Sequence, residues 1–149
     1  MRKLVLAFAA LLSAPTAALA CSCLNTDDPA QLQQFAQEAA KGAVALAEVE
    51  TIRDYDPARA IGEEVRITRT LAGTAQGSFT IERGASPSSA SCDDLLQAGQ
   101  KKVLILYPAA GTASQGAAYR VSNLCTNLLL EKPLFRDAVK ANMAVGERG

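Results

Sequence analysis

The stretch "KVLILYP", residues 102–108, decides how the rest of the chain is read. Val103 to Tyr107 is an unbroken apolar run. A strand with one wet face alternates apolar and polar residues. A short run without alternation, closed by a proline, reads as a central strand buried on both faces. Such a strand needs a neighbour on each side and apolar cover above and below.

Candidate neighbours lie on both sides of it. "EVRITRTLAG" (64–73) alternates, with Val65, Ile67 and Leu71 on one face. "SFTIERG" (78–84) alternates through Phe79 and Ile81. "AVALAEVETI" (43–52) slips phase near Ala47, since Val44 and Leu46 share one parity and Val49 and Thr51 the other. That slip is compatible with a bulge. Downstream, "AYRVSNLC" (118–125) supplies a fifth run. Turn-rich segments "RDYDPARAIG", "AGTAQG" and "AAGTASQG" separate them. The expectation is an all-β domain with flanking helices, a closed or nearly closed five-stranded antiparallel barrel.

Two helices flank the strands. In "TDDPAQLQQFAQEAAKG", Asp28 can cap, Pro29 suits the first helical position and Gln31 completes a capping-box-like spacing. Leu32, Phe35, Ala36 and Ala39 form one apolar stripe, and Gly42 ends the helix. "PLFRDAVKANM" starts at Pro133 and carries Leu134, Phe135, Ala138 and Val139 at helical spacing. "GASPSSASC" is Ser-rich and expected to move until Cys92 fixes its end.

Residues 1–20 read as a secretory signal. Arg2 and Lys3 form a basic start, Leu4 to Leu12 an apolar run too short to span a bilayer, and Ala18-Leu19-Ala20 a small-x-small cleavage pattern. The remainder, 21–149, suits a single domain. Losing Arg2 and Lys3 leaves 13 basic against 15 acidic residues. No basic stripe interleaves with aromatics, so nucleic acid is not an expected partner. The predicted location is periplasmic or secreted, with no transmembrane segment. A second reading makes Cys21 a lipid acceptor, although Ala18 stands where that pathway generally has leucine.

The chain has no histidine, which excludes the usual Ser-His and Cys-His nucleophile pairs and His-based zinc sites. The expectation is a monomer that is not an enzyme and holds no cofactor. Asp27, Asp28, Asp93 and Asp94 read as solvated turn and cap residues, and Tyr107 and Tyr119 as barrel residues. Four cysteines, Cys21, Cys23, Cys92 and Cys125, read as two disulfides in an exported chain. Three connectivities exist. Cys21 with Cys23 would close a small strained ring; the other two tie the N-terminus to distant points.

The order of these features resembles a known pattern. Cys-Ser-Cys at the new terminus is followed by a helix, a bent first strand, the block "SCDDLLQAGQKKVLIL" and the block "SNLCTNLLL". Cys92 precedes one apolar strand and Cys125 ends another. This is similar to the netrin-like domains, and more narrowly to the inhibitory domain of the tissue inhibitors of metalloproteinases. The resemblance covers about residues 21–130. It implies an OB-fold-like five-stranded barrel with a disulfide-stapled N-terminus, bonded Cys21–Cys92 and Cys23–Cys125. Three features depart from it: the family's third cross-link has no counterpart, no cysteine-rich C-terminal subdomain follows, and the first strand is alanine-rich.

The resemblance also implies a function. The backbone amine and carbonyl of Cys21 would chelate the catalytic zinc of a target metalloprotease, the suspected partner. Ser22 would enter the protease's specificity pocket, and Cys23, Leu24 and Asn25 would extend the contact. A catalytic zinc keeps a position open for water, which such a chelate can displace. The competing expectation is a netrin-like binding or envelope module without inhibitory activity, in one form a lipoprotein.

Overall fold

The computed structural model describes Cys23 and residues 26–84, 87, 92–110 and 117–146. Five strands form a closed barrel: β1 (Ala45–Arg53), β2 (Glu64–Gly73), β3 (Ser78–Ile81), β4 (Lys101–Pro108) and β5 (Ala117–Val121). Their order around the barrel is β1-β2-β3-β5-β4. Three helices complete the fold: α1 (Pro29–Ala40), α2 (Leu124–Leu130) and α3 (Pro133–Gly146).

The all-antiparallel expectation fails at one junction. β3 and β5 run parallel, and the other four neighbouring pairs are antiparallel. Closure itself demands this. Each antiparallel step reverses strand direction, and five reversals around a ring return the opposite sense. A closed barrel with an odd number of strands therefore needs at least one parallel pair.

β4 is buried on both faces, as its sequence predicts: Leu104, Ile105 and Leu106 are all inaccessible. Leu104 and Leu106 point into the barrel, while Ile105 points to the helices. In register beside them on β1 stand Ala47, Ala45 and Leu46. Small alanines thus face large leucines where a narrow barrel has little room. That accounts for the alanine-rich first strand. Leu46 and Ile105 anchor a second apolar layer with Leu32 and Ala36 of α1, Leu130 of α2, and Phe135, Val139 and Met143 of α3.

The irregularity read near Ala47 exists, but the extra residue lies on the partner strand. Leu46 pairs with Ala72 and Ala47 with Thr70, so β2 accommodates Leu71 as the inserted residue. Leu71 consequently turns toward the helical layer, away from the face that Val65 and Ile67 present to the barrel. Ala45, Ala47 and Val49 keep one inward parity throughout β1. Outside, Glu48 pairs with Arg69 and Glu50 with Arg66 across the strands. The arginine hydrogen bonds hold both carboxyls below the usual range.

The helices bring three further corrections. Asp28 caps α1 by accepting from the Ala30 amide, but its own amide donates to Thr26 Oγ1 at 3.1 Å rather than to Gln31. Leu134 is 55% exposed, so the buried stripe of α3 is Phe135, Ala138, Val139 and Met143. The fifth strand stops at Val121, and Cys125 sits in a helix rather than ending a strand. The reason is local. The Asn123 side chain accepts from the Thr126 amide at 2.9 Å and starts α2.

Candidate functional site

Cys23 and Cys125 form a disulfide with Cα atoms 5.0 Å apart and a sequence separation of 102. The bridge fixes the chain ahead of α1 to the first turn of α2. Cys92 is also disulfide-bonded. Its expected partner Cys21, and the expected contact residues Ser22, Leu24 and Asn25, lie outside the described residues, as does most of the Ser-rich stretch before Cys92.

The two anchoring cysteines meet at one place. The Leu124 amide, next to Cys125, donates to the Cys92 carbonyl at 2.9 Å. Cys92 adopts a positive φ of 62°, a conformation uncommon for a residue with a side chain. Something must hold the segment that follows it.

A buried polar network does so. Glu63 is fully buried and accepts two hydrogen bonds from Arg83, at 2.9 and 2.6 Å, and one from the Leu96 amide at 2.9 Å. Arg83 also donates to the Asp94 carbonyl at 2.7 Å. The Asp94 carboxylate accepts from Lys102 Nζ and from Asn127 Nδ2. Asn127 in turn accepts from the Ser122 hydroxyl and donates to the Ser122 carbonyl. Residues 94–96 are thereby tied to the β1–β2 connection, to β4 and to α2. Gly62 admits Glu63 to this position. A Cβ there would fall 1.8 Å from the Ile81 carbonyl oxygen.

Asp94 is thus no solvated turn residue: it is 6% exposed and fully bonded. Glu63, Arg83 and Asn127 carried no sequence signal, because their partners lie 5 to 33 residues away without periodicity. Tyr119 is the barrel residue expected, edge-on to Phe79 with centroids 4.8 Å apart. Tyr107 instead faces the helical layer and donates to the Ala39 carbonyl at 2.7 Å. Burial pushes its hydroxyl pKa up, against the pull of Arg120.

A second hold lies just after Cys23. Lys132, in the turn between α2 and α3, donates to the Thr26 carbonyl at 2.8 Å and to the Asp27 carboxylate at 2.6 Å. Beside these anchors, Phe35, Ala39, Cys125, Leu129 and Phe135 line a groove of about 380 Å³ between the helices. Among the described residues, no group of three or more Cys, Asp or Glu is placed to hold a metal ion, and no helix is long and apolar enough to cross a membrane.

Comparisons with protein-family models, curated proteins and solved structures return no match.

Proposed function

We propose that the chain is an exported inhibitor of zinc metalloproteases built on an OB-type barrel. Cleavage behind Ala20 frees the α-amine of Cys21. That amine and the Cys21 carbonyl oxygen chelate the target's zinc and displace its water. An α-amino group has a pKa near ~8, so the neutral donor form is accessible at neutral pH. Ser22 enters the specificity pocket, with Cys23, Leu24 and Asn25 continuing the contact. Five strands in a closed ring, with β5 inserted between β3 and β4, support the OB reading.

One observation carries the proposal. Cys92 and Cys125 are held side by side by the Leu124–Cys92 hydrogen bond, and Cys23 is bonded to Cys125. With Cys21 bonded to Cys92 as well, the N-terminus would be fixed twice and lose little freedom on binding, which lowers the ordering cost of association.

The test uses the exported protein with its N-terminus defined by intact mass and sequencing. Stoichiometric inhibition of a thermolysin-type or metzincin protease is expected, and one alanine added before Cys21 should abolish it. Equal potency with the added residue would overturn the mechanism. The helical groove beside Cys125 favours a second reading, a netrin-like binding module without inhibitory activity. It predicts no inhibition across the panel and capture of a partner that is not a protease. The lipoprotein form predicts fatty-acid labelling of Cys21, which would prevent that thiol from bonding to Cys92, whereas Cys92 is disulfide-bonded.

A further inference from the structure

Apart from the groove beside Cys125, a cavity of about 280 Å³ lies between α2 and the strands β1, β2 and β4. Buried Leu130 and half-buried Val103 give it an apolar floor, while exposed Lys101 on β4 and exposed Glu131 behind α2 stand at its rim. The neighbouring charges are matched: Glu48 with Arg69, Glu50 with Arg66, and Lys102 with Asp94. Lys101 and Glu131 are the exception. Among the described residues neither is closed into an ion pair, with the other or with a third residue. One cation and one anion thus line a single cavity from opposite walls without meeting. A bulge adds a hydroxyl. Glu48 pairs with Arg69 and Val49 with Ile67, so Thr68 is the extra residue on β2, and its side chain lines the same cavity. Re-aiming a side chain is what such bulges do beside binding sites.

We infer that this cavity binds a small zwitterion with an apolar side chain, a free α-amino acid of about leucine size. The site is separate from the N-terminus and does not rest on the inhibitor reading. Its lining supplies each part of such a ligand. The ligand carboxylate meets Lys101 and the third proton of the Lys102 ammonium, which already bonds both oxygens of Asp94. The ligand ammonium meets the Glu131 carboxylate and the Thr68 hydroxyl oxygen, whose own proton goes to the Glu48 carbonyl at 3.1 Å. The apolar side chain covers Val103 and Leu130. The volume lies just below the range of about 300–1,000 Å³ that suits drug-sized ligands, so the occupant is smaller than those. A ligand of one sign only would face Lys101 or Glu131 with a like charge.

The test titrates the isotope-labelled exported protein with three compounds. L-leucine carries both charges, 4-methylpentanoate lacks the amine, and 3-methylbutylamine lacks the carboxylate. Amide chemical shifts are followed to about 10 mM ligand, ten times a millimolar Kd. Leucine should give saturable shifts at Lys101, Lys102, Val103, Leu130 and Glu131, and should bind at least about 10-fold more tightly than either single-charge compound. Lys101→Met and Glu131→Gln alter exposed side chains and should leave the thermal midpoint unchanged. Each should weaken leucine binding about 10-fold, the loss of one charge-assisted hydrogen bond. Glu131→Gln should also bind 4-methylpentanoate more tightly, because a like charge is gone; a merely structural effect would not produce that gain. No saturable shift, or shifts confined to another part of the molecule, would overturn the site. Equal affinity for leucine and a single-charge compound would overturn the zwitterion class, and unchanged leucine affinity in both variants would overturn the role of the two rim charges.

Discussion

Asp94 and Asn127 each lie two residues beyond an anchoring cysteine, and Asn127 Nδ2 donates to the Asp94 carboxylate at 2.9 Å. Together with the Leu124–Cys92 backbone bond, this fixes the two disulfide anchors relative to each other. The bond is buried, where an intact polar link stiffens and a broken one is costly. The separation of the anchors is thus set by the barrel and α2 rather than by the disulfides alone.

The Glu63–Arg83 pair behind Asp94 should be the most sensitive point of the fold. Both side chains are almost fully buried, at 0% and 5% exposed. Arg83→Met leaves the Glu63 carboxylate with only the Leu96 amide, and should cost about 3–5 kcal/mol in urea unfolding. Adding Glu63→Gln should recover part of that loss, since the uncompensated charge is gone. Additive losses in the double variant would contradict a coupled pair.

Thr51 predicts a gain. Its side chain is 2% exposed, and its Oγ1 is buried with no hydrogen-bond partner among the described residues. Thr51→Val keeps the shape and removes the unsatisfied hydroxyl. Stability should rise by about 1 kcal/mol, read as a higher denaturation midpoint with an unchanged slope. A loss of stability would mean that the hydroxyl is satisfied.

Tyr107 predicts an alkaline limit. Burial raises its pKa in the folded state above the ordinary value of 10.0. Below the unfolded-state pKa the hydroxyl is protonated in both states, and its contribution to stability is fully present. As pH rises from there through the folded-state pKa, the unfolded state ionises first and the contribution is lost. Tyr107→Phe should cost about 1 kcal/mol at neutral pH by removing the bond to Ala39, and should flatten this alkaline decline. An identical decline in the variant would place its cause elsewhere.

The Cys23–Cys125 bridge should stabilise as well as position. Cys23→Ser with Cys125→Ser opens a loop closed across 102 residues and should cost about 2–5 kcal/mol. The barrel's circular dichroism should persist at low temperature, because the two apolar layers do not depend on the bridge. An unchanged thermal midpoint would show that Cys23 is held by other contacts.

Much of the architecture is legible in local pattern. The apolar run 103–107, the alternation through Val65, Ile67, Phe79 and Ile81, and the Asp28-Pro29 helix start depend on neighbours within a few residues. They matched the observed elements closely. The candidate site was legible only as cysteines: a Cys-x-Cys pair and two distant partners, without their geometry. Asp94 was misread because an acidic residue in a polar stretch ordinarily stays in water, and only Lys102 and Asn127, brought from β4 and α2, make its burial tolerable.

The sequence by itself determined the strand runs, the double burial of β4 and the start of α1, since side-chain periodicity and capping chemistry act over one turn or a few residues. The bond between Cys23 and Cys125, which the resemblance implied, is present, whereas tertiary structure alone decided the hold of Lys132 on Thr26 and the burial of Glu63 with Arg83. It also decided that β5 lies parallel to β3, because an odd ring of strands closes only when one pair breaks the alternation. Those partners are 20 to 106 residues apart, and only closure of the barrel and docking of α2 bring them within bonding distance.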